Sequence, residues 1–351
     1  MALVVTAIYG VLALAAFLNL ILMRRPSPQE TQIDLVVLIP ARDEETNLDR
    51  LLPALAGAPT IVFDDESTDR TAEVATKHGA TVIRGGPLPK GWTGKNRACH
   101  ALASAAIEST TADWLLFLDA DVRPSPDFVS TMRAMAAGAK PNVGAITGFP
   151  TILPGRGIEP LFLAWVGWIL LATNPYGLVA RTRMGHNRFL NGQVTMWRRD
   201  VYARLWPNEA VRSRVMEDVS MGRLLAKEGV FVEVANLSKV LAVKMYDTWR
   251  QTLDGMSKNS HEVAGTTAGT LALAALMLFL GWAWILGGPW AGCLFWLSGL
   301  CVVLTCRAPV WPVLLIPLVP TIGAFTLVRS LVWHRQGRVM WKGRTYGGTG
   351  R

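Results

Sequence analysis

Charge is the first thing this sequence is short of. Asp, Glu, Lys and Arg make up 17% of its 351 residues, against roughly 25% in an average soluble protein. The hydrophobic share is 51% and the mean hydropathy is +0.29, so a purely water-soluble fold does not account for the chain. Cysteine is scarce as well. Cys99 stands alone, and Cys293, Cys301 and Cys306 lie in apolar sequence. No C-x-x-C pair exists, which leaves neither a zinc site nor a disulfide framework supported. The five histidines (His78, His100, His186, His261 and His334) lack metal-ligand spacing and are read as non-ligands. The net charge of +9 comes without a long basic run interleaved with aromatics, which argues against nucleic acid as a partner. Basic residues that border apolar segments suit an anionic lipid surface, and their field also draws in an anionic substrate. Internal repeats and low-complexity tracts are missing too.

Long uncharged runs are what the sequence has instead. Residues 3–23 contain no charge and are long enough to cross about 30 Å of hydrocarbon as a helix. Arg24 and Arg25 follow this run, whereas a signal peptide carries its charge in front and ends at a small-residue cleavage site. The reading is a retained anchor, with the following segment in the cytoplasm by the positive-inside rule. Three further apolar stretches cover about 268–287, 289–305 and 309–333. The last holds Pro309, Pro312, Pro317 and Pro320, which argues against a straight helix. Three spans would leave the basic tail outside; two spans plus a re-entrant or interfacial stretch return it inside, and this is preferred. Residues 160–175 are short for a span and rich in Trp. They are read as an interfacial helix that presents an acceptor site to the bilayer, or as a buried core helix.

Between these segments, strand and helix signals alternate. IDLVVLIPA, TIVFDD, ATVIRG and DWLLFLDAD read as strands, and ETNLDRLLPALAG, STDRTAEVATKHG and TGKNRACHALASAAIEST as helices. Such alternation implies a doubly wound α/β layer. Ligands bind at the carboxyl ends of strands in such layers, and here the acidic clusters stand at those ends. The expected organisation is an anchor at 1–24, an α/β domain at 33–260, transmembrane or re-entrant segments at 265–333 and a basic tail at 334–351.

Asp119 and Asp121 follow the apolar strand WLLFLDAD. Carboxylates at i and i+2 can share Mg²⁺ or Mn²⁺ with a diphosphate, although an isolated D-x-D also serves as a loop or helix cap. Asp64 and Asp65 end TIVFDD and can accept hydrogen bonds from a base or a ribose, while the neighbouring Ser67, Thr68 or Asp69 caps a helix. Pro40, Arg42 and Glu44 follow another strand and face the same crevice. Glu217 and Asp218 open the helix VSMGRLLAKEG, where acids also favour the helix dipole.

Taken in order, IPARDEE, VFDDESTDRT, FLDAD, FLNGQVTMWRRDVY and MEDVSMGRLL resemble the successive motifs of family 2 glycosyltransferases of the GT-A fold, over about residues 33 to 260. The resemblance implies a Rossmann-like GT-A domain carrying N-terminal and C-terminal transmembrane helices. It implies that Asp65, with Asp64, meets the nucleotide base, that Asp119 and Asp121 face diphosphate and metal, and that Asp218, beside Glu217, is the general base of an inverting displacement. Pro40, Arg42, Glu44 and Lys95 fall in the nucleotide-sugar site. Asn191, Gly192 and Gln193 border the acceptor, where Gly192 allows close backbone approach or simply makes a turn.

The stretch PLPKGWTGKNRACHAL, with Lys90, Trp92, Gly94 and Lys95, looks like that of bacterial carotenoid- and hopanoid-associated glycosyltransferases. No literal Q-x-x-R-W exists, which argues against a polysaccharide synthase; Lys258 stands in that region and is taken as a diphosphate contact. The expected enzyme moves a sugar from a nucleotide-sugar, a UDP-sugar by the resemblance, to a lipid acceptor such as a carotenoid or hopanoid. It does so with Mg²⁺ or Mn²⁺ at the cytoplasmic face of the plasma membrane. A polyprenyl-phosphate sugar transferase, a short polysaccharide synthase and a catalytically silent membrane scaffold are the alternatives.

Overall fold

The computed structural model describes residues 1–179, 189–338, 340–341 and 344–345. The chain forms two compact units, one of residues 24–151 and 182–243, the other of residues 1–23, 152–181 and 244–351. Its strands are β1 Leu35–Ala41, β2 Thr60–Asp64, β3 Thr81–Arg84, β4 Trp114–Leu118, β5 Val122–Pro124, β6 Val143–Phe149, β7 Thr151–Ile152, β8 Val194–Arg198, β9 Phe231–Asn236 and β10 Leu241–Val243, followed by two-residue strands at 340–341 and 344–345.

The first unit is built on a seven-stranded sheet of order β3-β2-β1-β4-β8-β6-β9. The four expected strands all form, and β3, β2, β1 and β4 run parallel. β8 is antiparallel to both β4 and β6. The sheet is therefore mixed, where the alternating pattern pointed to a doubly wound layer. Strand β1 explains its own central place. Leu35, Val36, Val37, Leu38 and Ile39 are each at most 1% exposed, as a continuous apolar run must be when both faces of a parallel strand are covered. The helix expected after β1 breaks early: Glu45–Leu51 is α-helical and Leu52–Leu55 is 3₁₀, with Pro53 at the change. The helix after β2 starts only at Thr71, which leaves residues 65–70 as a loop at the strand's carboxyl end. A short antiparallel pair, β5 with β10, lies beyond the site strands.

Among the described residues, the second unit contains three helices long and apolar enough to cross a membrane: Ala2–Leu22, Glu159–Val179 and Trp284–Cys306. A fourth span would consist of Trp249–Ala264 and Thr267–Trp282, which meet at 115°. The 160–175 run, short on its own, thus becomes part of a 21-residue candidate span. Its helix Glu159–Thr173 places Trp168 against Ser298, with Nε1 donating to Oγ at 3.0 Å, and receives Asn19 from the N-terminal helix at the carbonyl of Leu171, 2.8 Å away. In Trp284–Cys306 the chain kinks at Gly288, whose φ of 75° suits glycine, just before Pro289. The proline-rich stretch resolves into a 3₁₀ turn, Trp311–Leu315, and a helix, Leu318–Arg335. Pro320 sits in the first turn of that helix, where a missing N–H breaks no helical bond. Half of the tail 334–351 lies outside the described residues.

Candidate active site

The carboxyl ends of β1, β2 and β4 carry the predicted residues of the first unit. At the end of β2 the chain turns through loop residues 65–70, which lock onto the segment after β1. Asp43 Oδ1 accepts from the N–H of Thr68 at 2.7 Å, the Glu44 N–H donates to Thr71 Oγ1 at 2.8 Å, and the Glu45 N–H donates to Asp69 Oδ2 at 3.1 Å. Asp43 and Glu66 adopt positive φ, 53° and 58°. Left-handed backbone in two non-glycine residues costs energy, and these cross-loop bonds hold it.

Asp64 accepts from the Ser67 N–H at 3.1 Å, so it shapes its own turn. Asp65 is 3% exposed. Its carboxylate lies 3.5 Å from Arg97 and 3.9 Å from Arg42. Arg97 in turn lies over the Phe63 ring, 5.4 Å from its centroid. Arg97 was not foreseen, because its partner lies 32 residues away in sequence and only the fold joins them.

The second group gathers around Lys95. Thr93 caps the helix Gly94–Ser109 by accepting from the Asn96 N–H, which sets Lys95 in the first turn. Its ammonium meets Asp119 Oδ1 at 2.8 Å, Glu217 Oε1 at 3.0 Å and the carbonyl of Gly192 at 3.0 Å. One cation thus joins the acid after β4 to the acid that opens the helix Glu217–Lys227. Burial works against the Lys95 charge, yet Asp119 and Glu217 outweigh it and hold its pKa well above the ordinary lysine value.

The acids are raised as well, which for a carboxyl favours the neutral form. Burial, then the Glu217 charge, pushes Asp218 up to about 7. Burial, then the Asp119 charge, pushes Asp121 up to about 7 as well, with a further contribution from Glu44. Burial raises Asp119 too, against the pull of Lys95. Asp119, Glu217 and Asp218 share a recess of about 390 Å³, solvent mouth included, lined also by Pro40, Lys95, Cys99, Gly192 and Asn208.

Gly192 lets the backbone approach the charged groups closely. A Cβ there would stand 3.2 Å from Glu217 Oε1, 3.3 Å from Lys95 Nζ and 3.5 Å from Asp218 Oδ2. Asn191 faces inward, its amide donating to Gly148 O at 3.0 Å and its Oδ1 accepting from the Gln193 N–H at 3.1 Å. The Gln193 carbonyl accepts from the Asp119 N–H at 3.1 Å. These two residues build the turn that presents Gly192. Thr147, also unforeseen, supports it by accepting from the Asn191 N–H at 3.0 Å. Trp92, in the loop before Lys95, packs against His100 and His100 against Trp206 with tilted rings, at 5.2 and 5.1 Å between centroids, and Lys90 is exposed. Lys258 belongs to the other unit, on the helix Trp249–Ala264.

The donor set fits a divalent cation. Asp121 Oδ1 is buried and has no hydrogen-bond partner. A buried acceptor left unsatisfied is costly, and a hard cation is the ligand that carboxylate oxygens of this kind hold. Among the described residues no cluster of three or more His, Cys, Asp or Glu is arranged to hold a metal alone. Asp119 and Asp121 would therefore bind a cation whose other ligands come from substrate or water.

An α/β domain with paired acids at its strand ends lies in a chain that has, among the described residues, three helices of membrane length. Residues 36–206 match the family model of glycosyl transferase family 2. This stretch is similar to a family 2 glycosyltransferase domain, and glycosyltransferase is the enzymatic class that the match supports. The match ends before Glu217 and Asp218. Among curated proteins, the chain is similar to the 4,4'-diaponeurosporenoate glycosyltransferase of Staphylococcus haemolyticus (strain JCSC1435), 26% identical over 259 residues, covering 72% of this chain and 68% of the relative. It is similar to the enzyme of that name from Staphylococcus aureus (strain USA300), 27% identical over 256 residues, covering 70% and 66%. The chain thus spans about two thirds of the length of these relatives. Solved structures that align with it include Mycobacterium tuberculosis glucosyl-3-phosphoglycerate synthase with Mn²⁺, UDP and glucosyl-3-phosphoglycerate, at 18% identity, TM-score 0.41, and 64% and 78% coverage. The same enzyme with UDP aligns at 20% identity, TM-score 0.39, and 62% and 73% coverage.

Proposed function

We propose that the protein transfers a sugar from a nucleotide-diphosphate-sugar to the hydroxyl of a lipid acceptor, with inversion, from a domain on the cytoplasmic face of the plasma membrane. The observation that carries this reading is the meeting of Lys95, Asp119, Glu217, Asp218 and the Gly192 backbone in one recess. In the proposed reaction the acceptor oxygen forms a bond to the anomeric carbon. The bond from that carbon to the diphosphate breaks, and its electron pair leaves on phosphate oxygen. The hydroxyl proton passes to Asp218, whose pKa near 7 suits a base working near neutrality.

Asp119 and Asp121 would hold Mg²⁺ or Mn²⁺, which when bound supplies positive charge for the departing diphosphate. Lys95 adds a fixed cation on the same side, and Glu217 holds Lys95. Asp64, Asp65 and Arg42 form the nucleoside end, with Pro40 and Glu44 along the crevice, and Asn191 and Gln193 hold the Gly192 turn toward the acceptor. Lys258 is assigned to the diphosphate from sequence alone. The names of the relatives, the hydrophobic composition and the membrane-length helices favour a terpenoid lipid as acceptor and a multi-pass protein.

The test is nucleotide diphosphate release by detergent-purified protein with native lipids, across a panel of nucleotide-sugars, with Mg²⁺, Mn²⁺ or chelator. Metal-dependent release that disappears in Asp218→Asn is the expected result. A protein that binds no nucleotide-sugar overturns the reading.

A further inference from the structure

The helix that carries Lys95 also carries Asn96, which is fully buried and whose amide is saturated. Its Nδ2 donates to the carbonyl of Val211 at 3.0 Å and to that of Arg214 at 3.0 Å, with Arg212 O at 3.4 Å. Its Oδ1 accepts from Asn208 Nδ2 at 3.1 Å, and Asn208 Oδ1 accepts from the Tyr202 hydroxyl at 2.6 Å. Asn208 and Tyr202 are also buried. The orientation follows from chemistry, because carbonyl oxygens only accept and so the nitrogen must face them. The Thr93 N–H adds a bond to Arg212 O at 2.8 Å.

The segment held this way runs from Asn208 through exposed Arg212, Ser213 and Arg214 into Met216, the cap of the helix that begins with Glu217 and Asp218. Asn208 lies in the short helix Pro207–Ala210, and residues 211–216 after it are neither strand nor helix. Backbone bonds within the segment, from the Arg212 N–H to Glu209 O and from the Arg214 N–H to Val211 O, are joined by bonds from outside, and Asn96 supplies those to the carbonyls of Val211, Arg212 and Arg214.

We propose that Asn96, backed by Asn208 and Tyr202, is a positioning residue for the Glu217–Asp218 pair. It touches neither metal ligand nor base. It fixes the turn that delivers them, so that Asp218 stands beside Gly192 and Glu217 reaches Lys95. Three consecutive residues then divide the site: Lys95 joins Asp119 to Glu217, Asn96 holds the approach to Asp218, and Arg97 holds Asp65. Buried amide networks of this kind are rigid when complete and costly when broken.

This inference rests on the glycosyltransferase reading for its kinetic test, and a second measurement is independent of it. Asn96→Asp keeps the volume but turns a carboxylate toward two carbonyls. The expected result is a kcat at least tenfold lower with donor Kd within twofold of wild type, because the Asp64–Asp65 end is held separately. Trypsin should cut after Arg212 or Arg214 several times faster. Tyr202→Phe keeps the ring packing and removes only the far hydroxyl, which guards against a folding loss. It should show the same split, about threefold in kcat. Wild-type kcat and cleavage rate in Tyr202→Phe, or a fall in donor affinity that parallels kcat in either variant, overturns the proposal. A wild-type protein that transfers no sugar overturns the proposed function instead, and the trypsin comparison still decides the role of Asn96.

Discussion

Asp218 works against the stability of its own fold. A folded pKa of about 7 against roughly 3.9 when unfolded means that the native state binds its proton more tightly. Its contribution to stability is complete below about pH 4 and is lost as pH rises through about 7. Asp218→Asn should therefore be more stable than wild type at pH 8, by an amount on the order of a few kcal/mol, and so melt at a higher temperature, and it should match wild type near pH 4. The same variant should lose at least a hundredfold in kcat, within the range for loss of a general base. In the wild type, kcat should rise with pH through about 7. Thermal melts at the two pH values and a pH–rate profile check this, and a flat profile would remove Asp218 from the base role. Asp121 gives a separate test. Asp121→Ala should weaken Mn²⁺ binding at least tenfold in calorimetry, because the orphaned Oδ1 goes with it. Unchanged binding would move the metal elsewhere.

At the scale of elements, the turn 191–193 and the helix Gly94–Ser109 do most to assemble the recess. Gly192→Ala forces a methyl to within 3.2 Å of the Glu217 carboxylate and 3.3 Å of the Lys95 ammonium. Lys95 should tilt and its bond to Asp119 should lengthen. The expected outcome is a kcat about tenfold lower with little change in melting temperature, measured on the same detergent preparation. A variant as active as wild type would show that the turn gives way freely.

Strand ends were legible because parallel buried strands announce themselves as apolar runs; Asp64 ends one of them and Asp119 stands directly after another. Arg97, Asn96 and Thr147 were not legible. Each is one polar residue in a helix or strand, and its partner lies 32 or more residues away along the chain. Asn191 was legible only as a neighbour of Gly192; that its side chain turns inward depends on β6 lying beside β8.

Across the whole molecule, the N-terminal helix is more than a tether. Tyr9 is fully buried and donates to the Leu280 carbonyl at 2.8 Å. Asn19, also buried, donates to Leu171 O and Asn174 O and accepts from the Gly177 N–H at 3.1 Å. Replacing residues 2–22 with an unrelated apolar helix of equal length should leave the protein in the membrane fraction but lower its melting temperature in detergent by several degrees. Equal stability would reduce the helix to an anchor.

Local chemistry determined the apolar spans, the buried strands and the acids at their ends, because burial and periodicity act over neighbouring residues. The tertiary structure alone decided that β8 runs antiparallel, that one lysine bridges Asp119 to Glu217, and that a 16-residue Trp-rich run extends into a membrane-length helical segment. Those outcomes depend on which distant segments share a boundary, and charge pairing and hydrogen bonding across such boundaries leave no periodic mark in the chain.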